Sequence, residues 1–243
     1  MNKGTLYLVP SGLGGDDVTA YLPQKTRGIL KSLEFFIAEN PKTARAFLKA
    51  AGHPKALQDI AIETLDEHTP QSRMGALLAP LERGSDCGLL SEAGCPAVAD
   101  PGAVLVRLAH ASGIRVEPLI GPSSLLLALM ASGMNGQRFV FHGYLPVERA
   151  ARANRLVELE SASSQQDATQ IFIETPYRND AMLDTILTTC RIDTLLCLAT
   201  DLTQSTQSIG TRSIGEWKSA APTLNRRPTV FLLYCDPALA RSR

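Results

Sequence analysis

The sequence predicts an α/β fold of two α/β domains, the N-terminal one with a largely parallel sheet and the C-terminal one with a mixed sheet. Short apolar runs alternate with longer segments of helical period, which is the pattern of βαβ units. Near the C-terminal end, apolar runs follow one another with polar stretches between them, which is typical of a meander. The length of 243 residues suits one large domain or two compact ones, each with its own core.

In the first half, each apolar run ends near glycine or proline, and most are followed by a helical pattern. The predicted strands are Thr5–Val9, Leu33–Ala38, Ile60–Glu63, Cys87–Leu90 and Arg115–Pro118. The predicted helices are Thr43–Ala51, Arg73–Leu81, a helix that contains residues 104–109, and Leu125–Ala131. Pro23 and Gly28 are interpreted as breakers, so no helix is predicted around them.

A second series of elements begins near Gly133 and gives the second half its own sheet. The predicted strands are Arg138–His142, Thr169–Ile173, Thr194–Ala199, Gln207–Gly210 and Thr229–Tyr234, and the predicted helices are Arg149–Glu160 and Asp180–Thr189. We therefore divide the chain into domains at residues 1–121 and 122–243.

Composition limits the class of function. Twenty-four basic residues balance twenty-four acidic ones, so any contact with RNA must be local and cannot depend on overall charge. No apolar run reaches the ~18–20 residues that span a bilayer, and no signal-peptide pattern follows Met1, so we expect a cytoplasmic protein without a membrane segment. The five cysteines are scattered without paired spacing, so we expect reduced thiols and no metal.

Three turns, after Val9, Leu90 and Ile120, follow predicted strands of the first half. The carboxyl ends of parallel strands meet at one edge of a sheet, which is where ligands bind in open α/β folds. Glycine and proline there let backbone groups approach a nucleoside-like cofactor, although they serve tight turns equally well. The glycines of the first turn do not form a dinucleotide fingerprint, so a nicotinamide enzyme is not expected.

Five motifs occur in order along nearly the whole chain. They are Gly4–Pro10, Ser91–Gly102, Gly121–Ser124, Phe141–Pro146 and Glu174–Arg178. With these motifs the chain resembles the tetrapyrrole methylase family of S-adenosylmethionine-dependent methyltransferases, specifically the branch that methylates a cytidine ribose 2′-hydroxyl in small-subunit ribosomal RNA. The resemblance implies a homodimer of two-domain chains, with S-adenosylmethionine in the cleft between the domains and the small ribosomal subunit RNA as partner.

The resemblance also implies which residues contact S-adenosylmethionine. Around the first-half loops they are Pro10, Ser91, Glu92, Ala93, Gly94, Ala99, Asp100, Ser123 and Ser124, and in the second half they are Tyr144, Leu145, Ala199 and Thr200. The chain departs from the branch in two loops on the acceptor side, Ser11–Asp16 and Asn40–Thr43, and by Glu92 in place of aspartate. Use of the cofactor is therefore better supported than the identity of the acceptor.

Glu39 and Lys42 are the candidate catalytic residues, at the predicted end of the second strand. A sulfonium methyl is already activated, so the protein must align it and exclude water, and a base or cation beside the ribose hydroxyl would help. Glu39 could instead cap the helix that begins near Pro41, since proline and a nearby acid suit a first helical turn.

Arginines are the candidate substrate-binding residues. Arg149, Arg152 and Arg155 recur every three residues on one predicted helix and form the best local phosphate-binding surface, although a solvated helix face has the same pattern. Arg178, together with Glu174, could orient the substrate or hold an interface between the domains.

Two other functions remain open. A tetrapyrrole carbon methyltransferase would need a broad apolar trough with cationic groups for the carboxylates of its acceptor. A non-catalytic protein that binds S-adenosylmethionine, with a regulatory role, would account for the altered acceptor-side loops.

Overall fold

The computed structural model describes residues 2–15 and 17–236, so Asp16 of the first acceptor-side loop lies outside the described residues. The chain divides into two compact units, Met1–Ser123 and Ser124–Arg243. Each unit contains a five-stranded sheet, one parallel and one mixed. These two sheets confirm the predicted fold class.

The first unit is a parallel sheet with the strand order β3-β2-β4-β1-β5. Its strands are β1 (Thr5–Val9), β2 (Phe35–Ala38), β3 (Ala61–Thr64), β4 (Cys87–Leu90) and β5 (Arg115–Pro118). Its helices are α1 (Gln24–Ser32), α2 (Pro41–Ala50), α3 (Gln71–Glu82) and α4 (Gly102–Ala111). Because β1 lies between β4 and β5, the carboxyl ends of these three strands are neighbours.

Both faces of this sheet are covered, as expected of parallel strands. Successive side chains of a strand point to opposite faces, so Leu6 of β1 packs into one apolar cluster and Val9 into the other. The first cluster includes Leu77 and Leu81 of α3, and the second includes Leu48 of α2. Strand β4 is buried along its whole length, which explains its uninterrupted apolar sequence.

Helix α1 shows that the expectation of an irregular stretch around Pro23 and Gly28 is wrong. Pro23 stands immediately before the first turn, where its missing N–H costs nothing. Gly28 lies inside the helix, with nothing within 4 Å of the position its Cβ would take, so it weakens the helix without ending it. The buried side of α1 holds Leu30 and Thr26, whose hydroxyl donates to the Ile120 carbonyl at 2.9 Å.

The second unit is a mixed sheet with the strand order β6-β7-β10-β8-β9. Its strands are β6 (Phe139–Tyr144), β7 (Thr169–Ile173), β8 (Leu195–Thr200), β9 (Ser208–Ser213) and β10 (Thr229–Tyr234). Its helices are α5 (Ser124–Ser132), α6 (Arg149–Gln166), α7 (Asn179–Thr189) and α8 (Ile214–Ser219). Strands β6 and β7 are parallel, and β10 runs antiparallel to both β7 and β8.

The core of the second unit packs helices α6, α7 and α8 onto this sheet. The rings of Phe172 and Phe231 stack with centroids 5.6 Å apart across β7 and β10. Trp217 of α8 lies in the same core and donates its ring N–H to the Leu196 carbonyl at 2.8 Å. In the part of the chain that the structure describes, no helix is both long and apolar enough to cross a membrane.

Candidate functional site

The three loops that follow β1, β4 and β5 meet at one edge of the first sheet, as predicted. The backbone N–H of Ser11 donates to the Gly94 carbonyl at 2.9 Å, and the Ser11 hydroxyl donates to the Ser91 carbonyl at 2.9 Å. The thiol of Cys95 lies 3.4 Å from the Pro122 carbonyl. Hydrogen bonds therefore join the β4 loop to the loops that follow β1 and β5.

Two glycines allow these loops to approach so closely. A Cβ on Gly121 would lie 2.4 Å from the Cβ of Pro10, a distance that real side chains do not reach. Gly94 has a φ of 74°, and its Cβ would lie 3.3 Å from Leu13. At both positions only glycine fits without strain.

The loop from Ser91 to Gly102 holds a strained conformation that a partly buried carboxylate stabilises. Ala97 and Ala99 have φ values of 65° and 58°, a left-handed conformation that costs a non-glycine residue roughly 1–2 kcal/mol. Asp100 Oδ1 accepts hydrogen bonds from the N–H groups of Ala97 at 2.9 Å and Gly102 at 2.7 Å. Burial raises the pKa of Asp100. Strain of this kind is concentrated at functional sites.

Glu39 and Lys42 lie where β2 ends, but Glu39 does not cap the following helix. The cap of α2 is Asn40, whose side-chain oxygen accepts from the backbone N–H of Lys42 at 2.9 Å. Pro41 occupies the first turn, as expected. The capping explanation for Glu39 is therefore wrong, and its carboxylate and the Lys42 side chain are both exposed at the edge of the sheet.

Glu39 belongs to a group of carboxylates at this edge. Partial burial raises its pKa, and the negative charges of Glu92 and Asp100 raise it further. Glu92 is held in place by Thr43 of α2, whose hydroxyl donates to Glu92 Oε1 at 2.6 Å. A carboxylate with a raised pKa is a better proton acceptor at neutral pH than an ordinary one.

A pocket of about 360 Å³ lies beside these loops in the first unit. Its walls are formed by residues 11–15, Val18 and Tyr21 after β1, by Ala38 at the end of β2, by residues 90–93 at the end of β4, and by one side of α2. The α2 residues that line it all lie on one side of the helix; they are Thr43, Ala44, Ala46, Phe47 and Ala50. The sequence did not single out this face, because only its combination with the two loops creates a cavity.

The second unit holds five expected cofactor residues. Ser124 is the first residue of α5, and the other four lie at the carboxyl ends of the strands β6 and β8. Tyr144 ends β6 with 55% of its surface exposed, and Leu145 after it is buried. Ala199 and Thr200 end β8 and are buried. The Thr200 hydroxyl lies 3.2 Å from that of Thr229 on β10.

Glu174 and Arg178 form a partly buried ion pair directly after β7. The Glu174 side chain is fully buried, and its Oε1 accepts from Arg178 at 2.6 Å and from the N–H of Thr175 at 2.6 Å. Arg178 also lies over the ring of Tyr177. Among the described residues, Glu174 Oε2, Arg178 Nε and Asn179 Oδ1 are buried without a hydrogen-bond partner, so the pair is not fully satisfied within the chain.

Arg152 does not belong to a solvent-facing row of arginines. It is buried, and its guanidinium donates to the Thr185 hydroxyl at 2.8 and 3.1 Å and to the Val147 carbonyl at 2.8 Å. The Thr185 hydroxyl donates in turn to the Ala181 carbonyl. The sequence pattern could not reveal this, because the partners come from α7 and from the segment before α6. The expectation of a phosphate-binding surface is wrong for this residue.

Arg149 and Arg155 remain accessible but have carboxylate partners. Arg149 pairs with Asp184 at 2.9 Å, and Arg155 pairs with Glu158 at 2.7 Å. Arg155 also lies 3.2 Å from Nδ1 of His142. Burial lowers the pKa of His142, which agrees with a neutral ring that accepts from Arg155.

No family model matches the chain, but the chain is similar to several proteins named ribosomal RNA small subunit methyltransferase I. It is 31% identical over 215 residues to ribosomal RNA small subunit methyltransferase I of Escherichia coli O157:H7, covering 88% of this chain and 71% of the relative. It is 33% identical to the protein of that name from Xylella fastidiosa Temecula1, covering 85% and 71%. With the Pseudomonas aeruginosa protein of that name, identity is 36% over 73% of this chain and 59% of the relative.

Solved structures share the fold at lower sequence identity. The methyltransferase CobJ superposes with a TM-score of 0.62 at 17% identity, covering 96% of this chain and 94% of that one. The cobalt precorrin-4 methyltransferase CbiF superposes with a TM-score of 0.58 at 13% identity, covering 95% and 94%.

Proposed function

Because this chain belongs to the ribosomal RNA small subunit methyltransferase I family, we propose that it uses S-adenosylmethionine to methylate a cytidine ribose 2′-hydroxyl in small-subunit ribosomal RNA. The observation that carries this proposal is the identity of 31% over 88% of the chain with a relative of that name. Activity on a ribosomal subunit would place the protein in the cytoplasm, and the family resemblance favours a homodimer.

We propose that the joined loops of the first unit hold S-adenosylmethionine. The residues present fit a nucleoside-like group, because the loops offer small side chains and backbone groups from Ser91 to Gly94, at Ala99 and at Ser123. Pro10 and Asp100 would act by fixing loop positions, since Pro10 packs on Gly121 and Asp100 ties its own loop together. When bound, the cofactor would supply a methyl group activated on its sulfonium.

In the second unit, the proposed contacts differ in kind. Tyr144 can offer an exposed side chain, whereas Leu145, Ala199 and Thr200 are buried and would contribute mainly backbone groups. Ser124, the first residue of α5, would contribute its hydroxyl or N–H.

Glu39 is the proposed general base. A ribose hydroxyl is a weak nucleophile until a positioned group takes its proton, and a carboxylate with a raised pKa suits that task. Lys42 is exposed two residues beyond the Asn40 cap and would favour the developing oxyanion by its charge. Arg149, Arg155 and Arg178 are the proposed phosphate contacts, and they would exchange carboxylate partners for RNA.

The proposal is tested by transfer of labelled methyl from S-adenosylmethionine to small ribosomal subunits from a strain that lacks the gene, followed by nucleoside mapping. We expect label on a cytidine 2′-oxygen with the wild-type protein. The Gly94→Arg variant, which puts a bulky side chain against Leu13, should give no label and no calorimetric binding of the cofactor. Label on a base, or none from a wild-type protein that binds the cofactor, would contradict the proposed acceptor.

A tetrapyrrole acceptor has weaker support. The likeness to CobJ and CbiF is at 17% and 13% identity and concerns the fold alone. Among the described residues that line the pocket beside α2, none is basic, whereas an acceptor with several carboxylates requires cationic partners.

A further inference from the structure

The pocket beside α2 has no assigned occupant in the proposed reaction. It shares Ser91, Glu92 and Ala93 with the proposed cofactor loop but extends away from that loop, towards α2 and the segment after β1. We infer that this pocket receives the unstacked base of the nucleotide whose ribose is methylated. The inference rests on the proposed function and specifies how its RNA substrate is held.

The chemistry of the walls favours a base over the other parts of a nucleotide. The rings of Tyr21 and Phe47 and the side chains of Leu13 and Val18 line the pocket. Proteins that read single-stranded RNA stack its unpaired bases on aromatic side chains of this kind. A phosphate would find no basic group among the described lining residues and would meet the carboxylate of Glu92 instead.

Among the polar residues that line the pocket, Glu92 suits cytosine in particular. Thr43 donates to one carboxylate oxygen of Glu92 at 2.6 Å, which fixes the carboxylate where the pocket meets the cofactor loop. A carboxylate accepts a hydrogen bond from the exocyclic amine of cytosine, whereas uracil presents an oxygen at that position.

The position of the pocket would also bring the ribose of the bound nucleotide close to the proposed reacting groups. Ala38 lines the pocket and directly precedes Glu39. Glu92, which also lines the pocket, is near enough for its charge to raise the pKa of Glu39. A base between α2 and the Ser91–Ala93 segment therefore leaves its ribose near the proposed base and the proposed cofactor loop. Small side chains at Ala46 and Ala50 keep the α2 wall open.

The inference is tested by filling the pocket from the α2 wall. Ala46→Phe and Ala50→Phe each place a ring in the cavity, and Lys49→Phe places the same ring on the same helix at a position that does not line it. We expect kcat/KM for small ribosomal subunits to fall about tenfold or more in both pocket variants, since stacking is worth ~1–3 kcal/mol per base. Calorimetric affinity for S-adenosylmethionine should stay within about twofold of the wild type. The melting temperature should stay within a few degrees of it.

The outcomes separate this inference from the proposed function. Equal kcat/KM in the pocket variants, the Lys49→Phe control and the wild type would overturn the base pocket while leaving the methyltransferase proposal intact. A parallel loss of cofactor affinity in Ala46→Phe or Ala50→Phe would also overturn it, because the cavity would then belong to the cofactor. No transfer by the wild-type protein would remove the proposed function, and the inference with it.

Discussion

The Glu39 carboxyl group is less stable in its ionised form in the folded protein than in water, because of partial burial and the nearby charges of Glu92 and Asp100. A carboxyl whose folded pKa lies above its unfolded value favours folding only where it is protonated. This contribution is fully present below the unfolded pKa of about 4.3 and is lost as the pH rises through the folded pKa. At neutral pH, Glu39 therefore opposes folding, which is a common consequence of tuning a residue for catalysis.

We predict that Glu39→Gln raises the melting temperature at pH 7.5 and that this gain disappears as the pH falls towards 4. The physical reason is that glutamine cannot ionise, so it avoids the repulsion from Glu92. Calorimetric melting of both proteins across this pH range provides the measurement, with Glu82→Gln at the exposed end of α3 as the control. A lower melting temperature at pH 7.5, or a gain that does not depend on pH, would show that Glu92 and Asp100 do not destabilise the ionised Glu39. The same variant should lose methyl transfer if Glu39 is the base.

At the level of single residues, the sequence predicted the loops better than the roles of charged side chains. Glycine and proline mark where backbone segments approach closely, and Gly121 and Gly94 do lie at such contacts. The spacing of charges along a helix predicts that Arg152 is exposed, but the residue is buried. Its partner Thr185 is distant in sequence, so no local pattern indicates this contact. The unpartnered buried atoms of Glu174 and Asn179 likewise depend on tertiary packing, which no local pattern encodes.

Arg152 of helix α6 is hydrogen-bonded to Thr185 of α7. Three donor atoms of this guanidinium bind the Thr185 hydroxyl and the Val147 carbonyl inside the protein. Removing them loses the hydrogen bonds of a charged donor and leaves the Val147 carbonyl without this partner, which costs about 1.5–3 kcal/mol. We predict that Arg152→Met lowers the free energy of unfolding by this amount in urea titrations.

The matched control for this prediction is Arg149→Met on the same helix. Arg149 is exposed and makes a surface ion pair with Asp184, so its loss should change the unfolding free energy by less than about 1 kcal/mol. Equal effects of the two substitutions would refute the structural role of Arg152. This comparison also bears on RNA binding, because of these two arginines only Arg149 is able to exchange its partner for a phosphate without disturbing the core.

At the level of elements, every predicted strand is present, whereas helices α1 and α8 were missed. Apolar strand runs are strong signals because buried parallel strands need them on both faces. Helix α1 was missed because Gly28 was read as a breaker, although a glycine inside a helix costs only about 1 kcal/mol. Helix α8 has a readable start, since Ser213 and Glu216 form a capping box, but its six residues are too short to show a helical period.

At the level of the whole chain, the two units are built on the same plan. Each gathers the carboxyl ends of parallel strands at one edge of its sheet, β1, β4 and β5 in the first unit and β6, β7 and β8 in the second. Ligands bind at such edges in open α/β sheets. Expected cofactor residues lie at that edge in both units, so the proposed function predicts that residues of each unit contribute to the binding of S-adenosylmethionine.

We therefore predict that a single substitution in either unit weakens binding of S-adenosylmethionine. In the second unit, Tyr144→Ala should reduce calorimetric affinity about tenfold, equivalent to ~1.4 kcal/mol, because an exposed ring at the end of β6 would lose its contact. In the first unit, Ser123→Arg should abolish binding by bulk. Tyr177→Ala is the control, because it removes a ring that is 67% exposed in the second unit but lies outside the proposed contacts. This variant should bind S-adenosylmethionine as the wild type does. If Tyr144→Ala bound as tightly as Tyr177→Ala while Ser123→Arg bound nothing, the first unit alone would hold the cofactor, and the second would act on the RNA.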